Sequence, residues 1–325
     1  MNRRILVTGA AGFIGSHVAQ ALLARGDQVV GLDNLNDYYA PERKEANLRE
    51  VTDAVSPGER FQFIKGDFRD RGVLRGLFER QTFDAVVHLG AMAGVRASVE
   101  DPHLYLDVNL VGTLNLLEAA RGHGVGNFVF ASTSSAYGNT KCLPFVESDP
   151  CDRPLAPYPG SKRAAELLGY TYHHLYGLNF TALRFFTVYG PRGRPDMMAY
   201  KVADNIMFNR EVPLYNQGQI HRDWTYVDDI VQGVVAAADR PLGYEIINIG
   251  RGEPVLLADF VRLIEQRAGR PARLVPAPMP DTDMAYTYAD ISKARRLLGY
   301  DPHISVAEGV ARFWDWYCRA VLRRA

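Results

Sequence analysis

Three segments carry side chains that could do chemistry together. Thr133-Ser134-Ser135 is a run of hydroxyls, Tyr158 and Lys162 stand four residues apart, and Gly9, Gly12 and Gly15 space the loop Thr8-Gly-Ala-Ala-Gly-Phe-Ile-Gly. A phenol with a pKa of about 10 is a poor base at neutral pH unless a nearby positive charge lowers it. On a helix, residues i and i+4 share a face, so Lys162 can supply that charge to Tyr158. A hydroxyl such as Thr133 can then share the proton of a reacting alcohol. No carboxylate sits beside the hydroxyl run. Tyr-x-x-x-Lys also occurs at Tyr137/Lys141, but Gly138-Asn139 breaks a helix there. Tyr158 is followed by Pro159, which suits a first helical position, so the second pair is the expected one.

The glycine loop follows an apolar run, Arg4–Thr8, and precedes an amphipathic stretch, Phe13–Arg25. Strand, glycines and helix in that order form a dinucleotide site. One glycine makes the tight turn, the next lets a pyrophosphate approach the backbone, and the last allows strand–helix packing. Unpaired N–H groups at the helix start, here including Phe13 and Ile14, face the phosphates. Asp33 ends the second apolar run, where a carboxylate accepts hydrogen bonds from a ribose diol and repels a 2′-phosphate. The expected cofactor is therefore NAD, with Gly9, Gly12, Phe13, Ile14, Gly15, Asp33, Tyr158 and Lys162 around it. Asp67, after Phe61–Lys65, is a candidate contact to the adenine.

Around these residues the chain alternates strand and helix patterns, with further strands at Ala85–His88, Phe128–Ala131 and Thr181–Arg184 and helices at Leu104–Arg121 and Tyr158–Leu175. That alternation predicts an α/β, doubly wound parallel (Rossmann) sheet. After Phe186, Pro191, Pro195 and several glycines interrupt the pattern. The 325 residues exceed a single ordinary core. We expect an NAD-binding domain over 1–186 and a smaller substrate lobe over 187–325, some of whose segments pack back on the first. Lys+Arg and Asp+Glu both number 37, which gives no reason to expect nucleic acid. The histidines and three cysteines show no metal-ligand spacing. The start runs straight into a strand without an apolar leader, and no stretch has the length of a membrane span, so a cytoplasmic protein is expected.

With the glycine loop, the Thr133/Tyr158/Lys162 set and Arg222-Asp-Trp-Thr-Tyr-Val-Asp-Asp229, the chain resembles the extended short-chain dehydrogenase/reductase family from its first strand to at least Leu298. One departure is Gly90 in His88-Leu-Gly-Ala91, where the family usually has alanine. The resemblance implies tightly held NAD, a nucleotide sugar in the cleft between lobes, and a homodimer built on the helices at Leu104–Arg121 and Tyr158–Leu175. Dehydratases of the family place acids where Ser134 and Ser135 stand, and decarboxylating synthases place a glutamate after the threonine. Elimination needs such groups, whereas epimerisation needs none. The segment Phe185-Phe-Thr187-Val-Tyr189-Gly-Pro-Arg192-Gly-Arg194 is similar to UDP-glucuronate 4-epimerases and differs from the neutral-sugar type. By that resemblance Thr187 and Arg194 contact a sugar carboxylate, and we expect Ser134 and Ser135 to help fix its orientation. Arg222 resembles a diphosphate-binding arginine, Arg295 is a weaker candidate for the same role, and Arg96 is a candidate for the wall of the sugar pocket. A neutral-sugar 4-epimerase, a decarboxylating synthase and a non-catalytic NAD-binding protein are the alternatives.

Overall fold

The structure is a computed structural model that describes residues 3–53 and 60–322. The first half runs β1 (Arg4–Thr8), α1 (Phe13–Ala24), β2 (Gln28–Asp33), α2 (Pro41–Asp53), β3 (Phe61–Lys65), α3 (Arg71–Arg80) and β4 (Ala85–His88). It continues through α4 (Ala97–Glu100), α5 (Pro102–Leu106), a π-helical turn (Asp107–Val111), α6 (Gly112–Gly122), β5 (Asn127–Thr133), a 3₁₀ turn (Ser134–Tyr137), α7 (Pro157–Tyr176) and β6 (Phe180–Phe185). The second half holds β7 (Thr187–Tyr189), α8 (Met198–Met207), β8 (Glu211–Tyr215), β9 (His221–Tyr226), α9 (Val227–Asp239), β10 (Tyr244–Ile249), β11 (Pro254–Leu256) and α10 (Leu257–Ala268). It ends with β12 (Arg273–Ala277), β13 (Tyr286–Thr287), α11 (Ser292–Leu298) and α12 (Val306–Ala320).

Seven parallel strands form the main sheet in the order β10-β6-β5-β4-β1-β2-β3. Its inner strands β1, β2 and β4 read as nearly continuous apolar runs because both faces are covered. Side chains alternate between two cores. Ile5, Val7, Val87 and Val129 join the layer of α1 and α9, while Leu6, Val86, Phe128 and Phe130 join that of α3, α6 and α7. The strand order reverses between β4 and β1, which opens a crevice at the carboxyl ends of the strands.

The second half builds a four-stranded sheet from β11, β9, β13 and β7, and a small pair from β12 and β8. Trp224 of β9 stacks on Phe260 of α10 with centroids 3.9 Å apart, a contact worth about 0.5–1.5 kcal/mol beyond its burial. Helix α9 and strand β10 return to the main sheet, where β10 pairs with β6.

Two elements differ from the sequence reading. The helix expected over Leu104–Arg121 is interrupted by the π turn, which apolar periodicity does not reveal. Helix α7 opens at Pro157 rather than Pro159, because Ala156 is extended and caps it. Among the described residues no helix is long and apolar enough to cross a membrane.

Candidate functional site

The glycine loop is shaped by backbone crowding. Gly9 has φ +69°, and a Cβ there would stand 2.7 Å from the amide nitrogen of Gly90. A Cβ on Gly15 would stand 2.0 Å from the carbonyl oxygen of Gly9. Phe68 fills the space that a side chain at position 90 would need, since a Cβ on Gly90 would meet its ring at 2.7 Å. This explains why the family's usual alanine is absent there.

The loop forms one wall of a cavity of about 670 Å³ along the crevice. Gly9, Gly12, Phe13, Ile14, Gly15, Asp33, Asp67, Thr133, Ser134, Ser135, Tyr158, Lys162, Thr187 and Arg194 all line it. The volume falls within the roughly 300–1,000 Å³ of ligand pockets.

Asp33 accepts bonds from the Ala11 amide at 3.1 Å and the Leu35 amide at 2.9 Å. Burial nevertheless raises its pKa. Asp67 is engaged by Arg69 and Asn34. Against the cost of burial, the Arg69 bonds hold its carboxyl below the usual range. The sequence reading missed Lys44, which is buried and lines the cavity beside Asp33. Its Nζ donates to the Asn36 carbonyl and side chain, both at 2.7 Å.

Thr133 ends β5 and its Oγ1 accepts from the Ser135 amide at 3.1 Å. Tyr158 stands in the first turn of α7, and the Thr133 side chain favours its ionised form. Loss of solvent pushes the Tyr158 pKa up, and the opposing positive charge is Arg194, followed by the Thr133 bond. Burial lowers the pKa of Lys162, one turn further along the helix, to about 7, with Glu166 opposing. Its Nζ lies 4.5 Å over the ring of Phe130. Below it Glu166 accepts from Ser132 at 2.6 Å and makes a two-pronged pair with the buried Arg184, at 2.9 and 2.8 Å. This pins β5, β6 and α7 to one another.

Asn109, inside the π turn, was also missed. Its amide bonds the Met92 backbone at both N–H and carbonyl, at 2.9 Å each, and the Ser161 hydroxyl at 3.0 Å. His88 bridges Thr8 and Thr113 at 2.6 and 3.0 Å, and burial holds its pKa well below normal. Among the described residues no cluster of three or more His, Cys, Asp or Glu is placed to hold a metal ion.

Arg194 meets Asp196 through two bonds of 2.9 Å each and lies 5.7 Å from the Tyr38 ring. Arg192 does not reach the cavity. It is buried at φ +61° and bonds Gln20 at 2.9 Å. Ser134, Ser135 and Thr187 also line a smaller cavity of about 90 Å³, together with Arg222. Burial lowers the pKa of Arg222. Arg96 lines neither cavity and instead pairs with Asp283, although its neighbour Val95 lines the smaller one. Arg295 is not brought to the site, being exposed in the last turn of α11.

Comparison with known proteins places this geometry. Residues 5–250 match the NAD dependent epimerase/dehydratase family. The chain is 45% identical over 312 residues to a UDP-glucuronate 4-epimerase of Thermodesulfobacterium geofontis, covering 96% of this chain and 95% of that one. A crystal structure of UDP-glucuronic acid 4-epimerase from Bacillus cereus, in complex with UDP-glucuronic acid and NAD, aligns with TM-score 0.89 and 35% identity, over 97% of this chain and 99% of that one. DesIV, a dTDP-glucose 4,6-dehydratase of Streptomyces venezuelae solved with NAD and TYD bound, aligns equally well, with TM-score 0.89 and 32% identity over 98% and 97% of the two chains. Backbone likeness therefore leaves the reaction to be read from side chains. The matched region runs from β1 to the end of β10 and holds the glycine loop, Thr133, Tyr158 and Lys162, and the protein belongs to the NAD dependent epimerase/dehydratase family.

Proposed function

We propose that this protein carries NAD and interconverts UDP-glucuronate and UDP-galacturonate by epimerisation at C4. The observation that carries the reading is that the hydroxyls of Ser134 and Ser135 line the same cavity as Thr187 and Arg194. There is no acid in the Ser134–Ser135 positions to drive elimination, and a guanidinium with hydroxyl donors suits a carboxylate. The relative from T. geofontis and the B. cereus structure with UDP-glucuronic acid support the same substrate.

The residues present fit NAD. Crowding at Gly9 and Gly15 leaves a bare backbone for the pyrophosphate, and Asp33 offers its carboxylate to the adenosine ribose. When bound, NAD takes the C4 hydride and returns it. Tyr158 takes the proton of the C4 hydroxyl, with Thr133 sharing the hydrogen bond. Arg194, already the charge that favours the phenolate, assists. Arg222 anchors the diphosphate, about which the 4-keto sugar turns before Tyr158 returns the proton. Thr187, Arg194, Ser134 and Ser135 fix the C6 carboxylate. Once C4 is a ketone, that carboxylate leaves as carbon dioxide if the C5–C6 bond stands perpendicular to the carbonyl plane. Holding it out of that alignment keeps the product an epimer.

We also infer a cytoplasmic homodimer. Leu106 and Val111 on one helical stretch and Leu167, Tyr170, Leu175 and Tyr176 on α7 are exposed and apolar or aromatic. The two stretches pack side by side, so a second copy covers both at once. Sedimentation of Leu175→Asp as a monomer would support this, and a monomeric parent would exclude it.

Incubating the purified protein with UDP-glucuronate and no added cofactor tests the function. UDP-galacturonate without carbon dioxide release supports epimerisation on a recycled NAD. A UDP-pentose product overturns it in favour of decarboxylation, and turnover of UDP-glucose alone moves the protein to the neutral-sugar class.

A further inference from the structure

Arg192 breaks two local rules at once. The amide of Gly193 donates to the Gly190 carbonyl at 3.3 Å, closing a four-residue turn with Pro191 and Arg192 at its centre. Arg192 holds φ +61° there, at a turn position that glycine or asparagine usually takes because other side chains strain the backbone. Its guanidinium is also buried. The side chain is 4% exposed, and neither Nε nor Nη1 has a hydrogen-bond partner. Buried N–H groups in folded proteins are nearly always paired, so an unpaired one needs an explanation. Glycines already stand at 190 and 193, and a third at 192 would remove both costs.

What the arginine gains is reach. Its Nη2 donates to Gln20 of α1 at 2.9 Å, and its Nε lies 3.6 Å from the Glu50 carboxylate of α2. Helix α1 is the one that the glycine loop opens, and Gln20 stands two turns beyond Phe13 on it. The same segment is tied to the second half of the chain on its other side. There β7 pairs with β9, and the Tyr189 hydroxyl donates to the Val306 carbonyl at 3.2 Å. A Cβ on Gly190 would meet Val227 at 2.7 Å, so the turn also packs closely on α9. Thr187 and Arg194 stand at the two ends of this stretch. The pair of Arg194 with Asp196 lies within the segment and moves with it. That pair therefore cannot set where Arg194 stands relative to α1, whereas the Arg192 bond spans the gap.

We infer that Arg192 is a positioning residue, a latch that holds the Thr187–Arg194 segment in register with the cofactor helix through Gln20 and so fixes the angle at which the sugar carboxylate is presented. This rests on the uronate reading of the cavity. The 4-keto sugar forms against the cofactor, and it keeps its carboxylate only while the C5–C6 bond stays away from the perpendicular to the carbonyl plane. With the carboxylate ligands on one body and the cofactor on another, that angle drifts as the two bodies move. A buried bond between them stops the drift. Arg192 lines neither cavity and acts through Arg194, touching neither sugar nor cofactor.

The quantity that tests this is the ratio of carbon dioxide to UDP-galacturonate formed from UDP-glucuronate. Each active molecule sets that ratio for itself, so a loss of folded enzyme leaves it unchanged. Arg192→Gly removes the contact and relieves the turn. Gln20→Leu removes the acceptor and leaves the turn as it is. An ångström of misplacement can cost about 10²-fold, and a segment displaced part of the time is expected to raise the ratio about tenfold in both variants. Gln20→Glu gives Nη2 an acceptor again and should return the parent's ratio. A parent-like ratio in Arg192→Gly or Gln20→Leu that still turns over overturns the inference, and so does a ratio in Gln20→Glu as high as in Gln20→Leu. The two readings fail separately. A parent that forms no UDP-galacturonate defeats the uronate assignment, whereas a parent and variants that all epimerise with the same carbon dioxide yield defeat only the latch.

Discussion

Tyr137 and Tyr158 each precede a lysine by four residues, and the two regions put that spacing to different ends. Tyr137 closes a 3₁₀ turn, and the chain then bends at Gly138, φ +56°, where a Cβ would stand 1.9 Å from the Arg153 carbonyl oxygen. Lys141 is left exposed. The Tyr137 hydroxyl bonds Asn248 at 2.7 Å, and its ring covers Arg184 at 4.7 Å. Burial raises its pKa, so it stays a neutral donor. Tyr158 instead stands second in twenty residues of unbroken helix, and Lys162 follows it onto the cavity wall. The spacing becomes chemistry only where the backbone between the two residues is helical.

The strongest way to break that contrast is to remove each hydroxyl. Tyr158→Phe should lower kcat by about 10²–10⁴, the usual worth of a positioned acid–base group. Tyr137→Phe should leave kcat in place but reduce unfolding free energy by about 1–3 kcal/mol, since the Asn248 oxygen loses its donor in a buried site. Paired turnover and denaturation measurements decide it, and a Tyr137→Phe enzyme as inactive as Tyr158→Phe would end the distinction. The next effect lies at the charge that acts on Tyr158. Arg194→Ala should weaken UDP-glucuronate binding by about 1.5–3 kcal/mol, the range for hydrogen bonds to charged groups. It should also release carbon dioxide with a UDP-pentose product. If the carbon dioxide yield matches the parent, Arg194 does not orient the carboxylate.

The lysines sharpen the comparison through pH. Burial lowers the pKa of Lys162 to about 7 from its ordinary 10.5. Between those values the unfolded chain holds a proton that the native chain has lost, so stability from this group rises with pH and is complete only above 10.5. The slope is at most about 1.4 kcal/mol per pH unit. Urea midpoints of nucleotide-free protein should show the rise in the parent, and Lys162→Met should flatten it. The smallest effect is at Lys141. Its replacement by methionine should change neither the slope nor turnover, and a change in either would mean that the first pair is not inert.

Much of the frame was legible because it depends on local pattern. The bounds of β1, β2, β3 and β4 agree with the runs read from the sequence; β1 and β4, covered on both faces, are almost wholly apolar, while the edge strand β3 is read through Gln62 by its flanking Phe61, Phe63 and Ile64. The start of α7 was harder to read. Pro157 and Pro159 both suit a first turn, and only the extended backbone of Ala156 decides between them. The site was legible where spacing implies proximity, as in the glycine loop and the Tyr158 helix. It was not legible where the fold alone creates the contact. Lys44 stands in the charged run Glu42-Arg-Lys-Glu45, which reads as a solvated helix face, yet its ammonium turns inward to Asn36. Arg194 is remote in sequence from the phenol it favours, and Lys162, its neighbour on the helix, is too deeply buried to hold charge easily. Arg295 looked like a ligand on a helix and stayed on the surface, which is the common fate of such arginines.

The π turn at Asp107–Val111 bears on how this site could have arisen. A single π turn amounts to one extra residue carried within an otherwise α-helical run, and such turns gather at functional sites. Deleting one residue there would restore regular winding while leaving α5 and α6 on their present faces. What would be lost is the inward amide of Asn109, and with it the grip on Met92 and Ser161. The helix and its function are thus separable by one codon. A lineage could gain or lose this part of the site in a single insertion or deletion without rebuilding the fold around it.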